Sequence, residues 1–405
     1  MTDIAGTVPV IAVDKVQAVA LAVCTYYFGV WLKGKVGVLS RYSIPSPVVG
    51  GMSFAIVVSF LEYFNIVKVQ IDSTLQTVLM LGFFTTIGLM ASLRVVKDGG
   101  RLLLGFLLAV TVLVFLQNGM GMAIAEAMGF DKHYGILAGS VSMMGGLGTA
   151  AAFGPYFEET YGITGGTAVA VTAATFGMVA ALLIGGPFGE WCIRRYQVKT
   201  PDEVQQPEPE LHLPDDMDTD ITEQHASAKP NFTNEIMRAV SVTALAMGLG
   251  TIVSNYLGHY ITLPAYIGAM IVATVIRNVE GKGLNAVADI TLVLFVTMAI
   301  NNLKLHELVH LALPLVVILA CQTILMLIYA WTVLFTAFGR SYDAVMLSVG
   351  GIGFSMGATA NGLANMQAIS EKYGSSPRAW LIVSVVGAFL IDLINTVVIT
   401  WFGTL

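Results

Sequence analysis

The sequence predicts an all-α polytopic membrane protein made of two inverted repeats, and three observations carry that expectation. Of 405 residues, 56% are hydrophobic and 11% charged, with mean hydropathy +0.77; a soluble domain carries roughly a quarter charged residues. Apolar runs of membrane-spanning length recur along the whole chain. Two glycine-rich stretches interrupt them at corresponding places, GGLGTAAA at 145–152 and GGIGFSMGATANGLAN at 350–365. In water these would read as loops. At membrane depth irregular backbone is tolerated only where protein buries it or a wet cavity adjoins it.

In the first half, spans are expected at about 16–32, 45–65, 75–93, 102–127 and 163–191, each near the roughly 20 residues that cross the hydrocarbon core. The N-terminus lacks the basic region of a cleaved signal peptide, so the first span is expected to be retained. Residues 134–162 are too short and broken to cross twice and read as a re-entrant hairpin before the fifth span. An acidic interval follows at 200–234, where ten of the 26 acidic residues fall between Asp202 and Glu235. It reads as a loosely folded tether or as a docking site for a regulator. The second half repeats the order, with spans at about 236–256, 261–277, 286–303, 308–337 and 379–402 and a hairpin at 342–374. The expected units are an N-terminal repeat (1–199), the linker (200–234) and a C-terminal repeat (235–405).

Charge sets the orientation. With the linker cytoplasmic, sixteen lysines and arginines fall inside and only Lys15, Lys68, Lys132 and Lys304 outside, a strong positive-inside bias. Both termini are then outside, and five spans per half invert the second repeat. Gln117 precedes GGLG by the same interval as Gln322 precedes GGIG. The hairpins end alike, in FEETYG and ISEKYG, and the second and seventh spans open alike, in IPSPVVGGM and LPAYIGAM. Inverted repeats with interrupted helices at matching positions point to a secondary transporter. There is no basic patch for nucleic acid. The three cysteines suggest neither a disulfide framework nor a metal knuckle.

A helix that stops inside the membrane offers free N–H groups at one end and free carbonyls at the other, suited to a carboxylate and to Na⁺ respectively. The hairpin residues expected at a substrate site are Gly145, Gly146, Gly148, Thr149, Gly351, Gly353, Ser355, Thr359, Asn361 and Asn365. The glycines would equally permit close helix packing. Gln117 and Asn118 in the fourth span, and Gln322 in the ninth, either line that site or glue helices together. Asp392 lies well inside the last span, with Asn395 and Thr396 on the same face. An aspartate at a helix centre costs roughly 2.5–3.5 kcal/mol on insertion scales, which a bound cation or a structural hydrogen bond would offset. Gln322, Asp392, Asn395 and Thr396 are the expected Na⁺ ligands. A rival reading comes from His306, Glu307 and His310, which fit the H-E-x-x-H pattern of a zinc protease. No acid or histidine between His310 and Asp343 supplies a third ligand.

With both hairpins placed, the chain resembles the bacterial sodium/glutamate symporter family nearly end to end. The stretches that carry the resemblance are YSIPSPVVGGM, MLGFFTTIGL, LQNGMG, GGLGTAAAF, SYDAVML, GGIGFSMGATANGLANMQAISEKYG and VGAFLIDLIN. The resemblance implies a homodimer of ten-span protomers in the inner membrane, with no cofactor beyond Na⁺ as coupling ion. It also implies uptake of L-glutamate by elevator-like movement of a hairpin-bearing core. Leu147 and Ala360 stand where the family would have histidine and proline. Both lie in the hairpins, which leaves another carboxylate anion, driven by Na⁺ or H⁺, as the alternative substrate.

Overall fold

A computed structural model describes residues 9–37, 39, 44–90, 100–201, 232–257, 265–280, 287–303 and 310–405. The acidic linker, from 202 to 231, and His306 and Glu307 lie outside them. The first half comprises α1 (Lys15–Lys35), α2 (Ser46–Tyr63), α3 (Thr74–Met90), α4 (Gly100–Ala127), α5 (Lys132–Ile136), α6 (Gly146–Tyr161) and α7 (Gly166–Tyr196). The second comprises α8 (Phe232–Leu257), α9 (Ala265–Glu280), α10 (Ala288–Asn301), α11 (Ala312–Tyr329), α12 (Tyr342–Met356), α13 (Thr359–Tyr373), α14 (Pro377–Val385) and α15 (Ile391–Gly403). Three π-helical turns adjoin these: Leu137–Val141 after α5, Ala330–Ala337 after α11, and Val386–Leu390 between α14 and α15.

The expected all-α fold gains one feature, a parallel pair of short strands, β1 (Val10–Val13) and β2 (Lys68–Ile71), paired from Val10 with Lys68 to Val13 with Ile71. Among the described residues, seven helical stretches are long and apolar enough to cross a membrane. The other three expected spans form shorter apolar helices, α3, α9 and α10. The 17 residues of α3 give about 26 Å of helix, short of a roughly 30 Å hydrocarbon core.

Local sequence explains the helix ends. Asp14 caps α1, its Oδ1 accepting from the Val16 and Gln17 N–H groups at 2.8 and 2.9 Å, while Gln17 reaches back to the Asp14 N–H to complete a capping box. Ser341 and Ser376 cap α12 and α14. The repeated YG endings also have a cause: Gly162 and Gly374 leave their helices with φ of 70° and 93°, a conformation that glycine adopts without penalty. Each hairpin is tied at its base by a tyrosine, the Tyr134 hydroxyl donating to Thr164 O and that of Tyr342 to Gly374 O, both at 2.6 Å.

The helices pack in two sets. One holds α1–α3 and α8–α10, in which α2 meets α10 and α3 meets α9 crosswise between the halves. In each half its first two helices meet at glycine: a Cβ on Gly50 would lie 1.8 Å from Thr25 O, and one on Gly268 2.3 Å from Gly250 O. The other set holds α4, α7, α11, both hairpins and the α14–α15 span, and contains most of the buried core. In α12 every residue but Asp343 is buried.

Candidate functional site at the hairpin tips

The tips of the two hairpins touch. Gly146 opens α6 at φ +62°, and a Cβ there would lie 2.7 Å from the carbonyl oxygen of Gly357, which joins α12 to α13. Only glycine satisfies both the backbone angle and the approach. Beneath them, a Cβ on Gly177 of α7 would lie 2.0 Å from Met356 O. Neither α6 nor α13 has a side-chain N-cap. Two helix starts, each with partial positive charge, therefore stand at one place.

Beside the tips lie two amide clusters joined at α4. The Gln117 Nε2 donates to Ser355 O at 3.0 Å, and Gln322 Nε2 donates to Gln117 O at 2.7 Å. One residue on, Asn118 Oδ1 accepts from the Ser140 N–H at 2.9 Å, and Asn395 Nδ2 donates to Ser140 O at 3.0 Å. Ser140 can be held this way because the π turn breaks the helical ladder: Gly139 sits at φ −91°, ψ −128°. These bonds use only part of each group's capacity. Gln117 Oε1, Gln322 Oε1, Asn395 Oδ1, Ser140 Oγ, Ser355 Oγ and Asn118 Nδ2 are buried with no hydrogen-bond partner among the described residues. Each such group left unpaired costs about 1–3 kcal/mol, so the cluster has capacity to receive water or a ligand.

Other residues expected at the site are committed elsewhere. Asn361 and Asn365 donate their Nδ2 groups to Met178 O and Ala181 O at 2.8 and 2.9 Å, seaming α13 to α7. Thr359 donates to Gly387 O in the π turn of the last span at 2.5 Å. Gly351 and Gly353 lie at packing contacts, where a Cβ would meet Leu334 at 2.7 Å and the Gly362 backbone at 2.3 Å. A Cβ on Gly145 would meet its own Thr149, and one on Gly148 would lie 2.6 Å from the Phe83 ring of α3. The Thr396 hydroxyl donates back to Asp392 O. The Asp392 carboxylate, one turn before Asn395, is half-buried with no hydrogen-bond or ionic partner among the described residues. Ser140 and Gly177 were not expected; the GS pair before the first hairpin tip was the one available sign of a backbone break. Among the described residues no group of three or more His, Cys, Asp or Glu side chains could hold a metal ion. His310 is exposed.

Comparison with known proteins gives the chain a family. The sodium/glutamate symporter family model matches residues 11–375. The chain is 37% identical over 400 residues to the sodium/glutamate symporter of Escherichia coli (strain K12), covering 95% of this chain and 96% of the relative. It is 34% identical over 394 residues to that of Haemophilus influenzae (strain ATCC 51907 / DSM 11121 / KW20 / Rd), covering 94% of each. The chain belongs to the sodium/glutamate symporter family. It is a polytopic membrane transporter, not an enzyme.

Proposed function

We propose that this member of the sodium/glutamate symporter family carries L-glutamate into the cell together with Na⁺. The observation that carries the reading is the set of buried, half-satisfied amides and hydroxyls beside two uncapped helix starts. Neutral oxygens of Gln117, Gln322, Ser355, Ser140 and Asn395 suit a hard cation that prefers oxygen ligands, as do free carbonyls at broken helices. Asp392, one turn from Asn395, supplies the countercharge. The helix starts at Gly146 and Thr359 receive substrate carboxylate on backbone N–H groups, with Thr149 close by. Gly145, Gly148, Gly351 and Gly353 keep the hairpin arms and their neighbours close enough to form that site. Na⁺ is the coupling ion, and no organic cofactor enters.

The two halves form inverted repeats with re-entrant hairpins, which the crosswise pairing of α2 with α10 and α3 with α9 supports. Both termini lie outside and the 200–234 linker is cytoplasmic, in a bacterial inner membrane and within a homodimer. The hairpin-bearing set moves against the other in an elevator-like cycle. Each net positive charge carried inward gains about 2.3 kcal/mol per 100 mV, so excess Na⁺ makes uptake electrogenic.

Purified protein in liposomes should accumulate L-glutamate when an inward Na⁺ gradient is imposed, and not with K⁺ alone. Leu147 and Ala360 favour a second reading, in which another dicarboxylate is the better substrate. A panel of carboxylates in the same assay decides between the two, and uptake indifferent to Na⁺ would remove both.

A further inference from the structure

Two arginines from opposite halves of the chain meet over one aromatic ring at an end of the hairpin-bearing set. The guanidinium carbon of Arg195, in the last turn of α7, lies 5.9 Å from the centre of the Tyr196 ring, and that of Arg340, just before α12, lies 5.4 Å from it. Both residues are exposed, and neither guanidinium has an ionic or hydrogen-bond partner among the described residues. Glu190, the one acid in α7, is committed to Arg194 and Lys372. Arg340 holds φ +53°, a left-handed backbone uncommon outside glycine, and its N–H closes the π turn on Phe335 O at 3.0 Å. A ring face attracts each cation, yet it carries no net charge, so the pair stands ready for an anion.

The surface next to the arginines is aromatic and then aliphatic. Trp191 of α7 and Trp331 of the π turn after α11 meet edge to face, their ring centres 6.4 Å apart, and are 46% and 43% exposed. Trp331 Nε1 donates to the Tyr196 hydroxyl at 2.8 Å, which ties the tryptophan pair to the ring beneath the arginines. The Trp191 N–H has no partner among the described residues. Ile324 and Ile328 lie one turn apart on α11 and lead to Trp331, as Leu183 on α7 leads to Trp191; all three aliphatic side chains are more than half exposed. The two helices pack together and their tryptophans meet, so these apolar stripes start side by side.

We propose that this surface binds one anionic phospholipid, with Arg195 and Arg340 on the phosphate, Trp191 and Trp331 at the glycerol esters, and Leu183, Ile324 and Ile328 along an acyl chain. Guanidinium forks suit phosphate oxygens, and indoles suit the depth where one end is apolar and the other wet. A choline or ethanolamine headgroup would put another cation beside the arginines, which selects a headgroup without one. An acidic peptide would meet the arginines and leave the stripes uncovered. On the orientation proposed above the site lies in the cytoplasmic leaflet, where anionic lipids attract basic segments; the residues that form it do not depend on that orientation. Arg340 directly precedes Ser341, the cap of α12, so the lipid is held at the root of the second hairpin.

The test titrates the purified chain in neutral detergent with phosphatidylglycerol or phosphatidylcholine of identical acyl chains and counts bound lipid by native mass spectrometry. One phosphatidylglycerol per chain should bind at least about tenfold more tightly than phosphatidylcholine, the gain of charge-assisted hydrogen bonds. Arg195→Gln with Arg340→Gln should abolish the preference, whereas Lys15→Gln with Lys68→Gln, an equal change of charge at exposed lysines elsewhere, should keep it. A second measurement needs no substitution and stands if the arginine variant misfolds: chain-brominated phosphatidylglycerol should quench the tryptophan fluorescence of the parent at about a tenth of the concentration that brominated phosphatidylcholine requires. Equal affinity for the two lipids, quenching without preference, or a preference that survives the arginine variant overturns the site. Displacement of the lipid by equimolar inorganic phosphate makes the free ion the ligand and also overturns it. So does phosphatidylglycerol binding that appears only once the acids from Asp202 to Glu223 are neutralised, which assigns the arginines to the acidic linker. None of these readouts uses Na⁺-driven uptake, so the transport reading and the lipid site fail separately.

Discussion

Asp392→Asn tests the coupling site most directly. The substitution keeps the size of the side chain and one oxygen ligand and removes the charge. The carboxylate is half-buried without a partner among the described residues, so its removal breaks no hydrogen bond among them. A neutral side chain also avoids the roughly 2.5–3.5 kcal/mol cost of an aspartate at a helix centre, and the variant should reach the membrane at least as abundantly as its parent. Against a cation about 4 Å away, the charge is worth about 4 kcal/mol at an effective dielectric near 20. Losing half of that weakens Na⁺ binding about 30-fold, and losing a third about tenfold. In liposomes the Na⁺ concentration for half-maximal uptake should therefore rise by at least about tenfold, with apparent substrate affinity recovering at high Na⁺. A folding defect would lower abundance without moving the Na⁺ curve. An unshifted curve in a well-folded variant would take Asp392 out of the site.

Gly146→Ala places a Cβ in a left-handed conformation against Gly357 O, a strain of about 1–2 kcal/mol before the clash. Initial uptake should fall more than tenfold at unchanged membrane abundance, while Gly34→Ala, where a Cβ meets nothing within 4 Å, should leave it intact; equal rates for the two variants would argue against a tight tip contact. Single cysteines at Thr149 and Ala358 in a cysteine-free background should change their reactivity to a hydrophilic thiol reagent when substrate and Na⁺ are added together, and indifference at both positions would separate the tips from the site. His306→Ala with His310→Ala should leave Na⁺-driven uptake unchanged and the purified protein free of stoichiometric zinc; tightly bound zinc lost in the pair would revive the protease reading.

Part of the candidate site's arrangement was legible because its signals are local or repeated. The first GG marks a hairpin tip, whereas Gly350 and Gly351 lie inside α12, ahead of the tip at Gly357; the YG endings mark positive-φ glycines that close each hairpin. The equal spacing of Gln117 and Gln322 led to residues that are hydrogen-bonded in one cluster. What stayed hidden depends on partners far along the chain. The π turn at Leu137–Val141 is held by Asn118 and Asn395, which lie 22 and 255 residues from Ser140, and the Gly139–Ser140 pair is its one local sign. The amides of Asn361 and Asn365 read as site groups by composition, yet helical phase turns them toward carbonyls of α7. The strand Val10–Val13 finds its partner beyond two helices, and four apolar residues before a span give no sign of that pairing.

The pattern of hydrogen bonds also indicates which surfaces can slide. Each hairpin is secured by the opposite half: Asn395 holds Ser140 of the first, and Gln117 holds the Ser355 carbonyl of the second. Asn361 and Asn365 tie the second hairpin to α7, and Lys372 reinforces that seam with an ion pair to Glu190 at 2.6 Å. All these bonds lie within one helix set, and in a low-dielectric interior breaking them is expensive. Toward the other set, the first hairpin presents Gly148 to the Phe83 ring, with Leu292 alongside, and the ring stacks on Phe295. That contact is apolar and non-directional, so displacement along it exchanges one van der Waals neighbour for another at small cost per contact. Shear between the two sets is therefore easier than separation of either hairpin from its own set. On the proposed elevator-like cycle, the tip cluster would therefore travel intact with its own set.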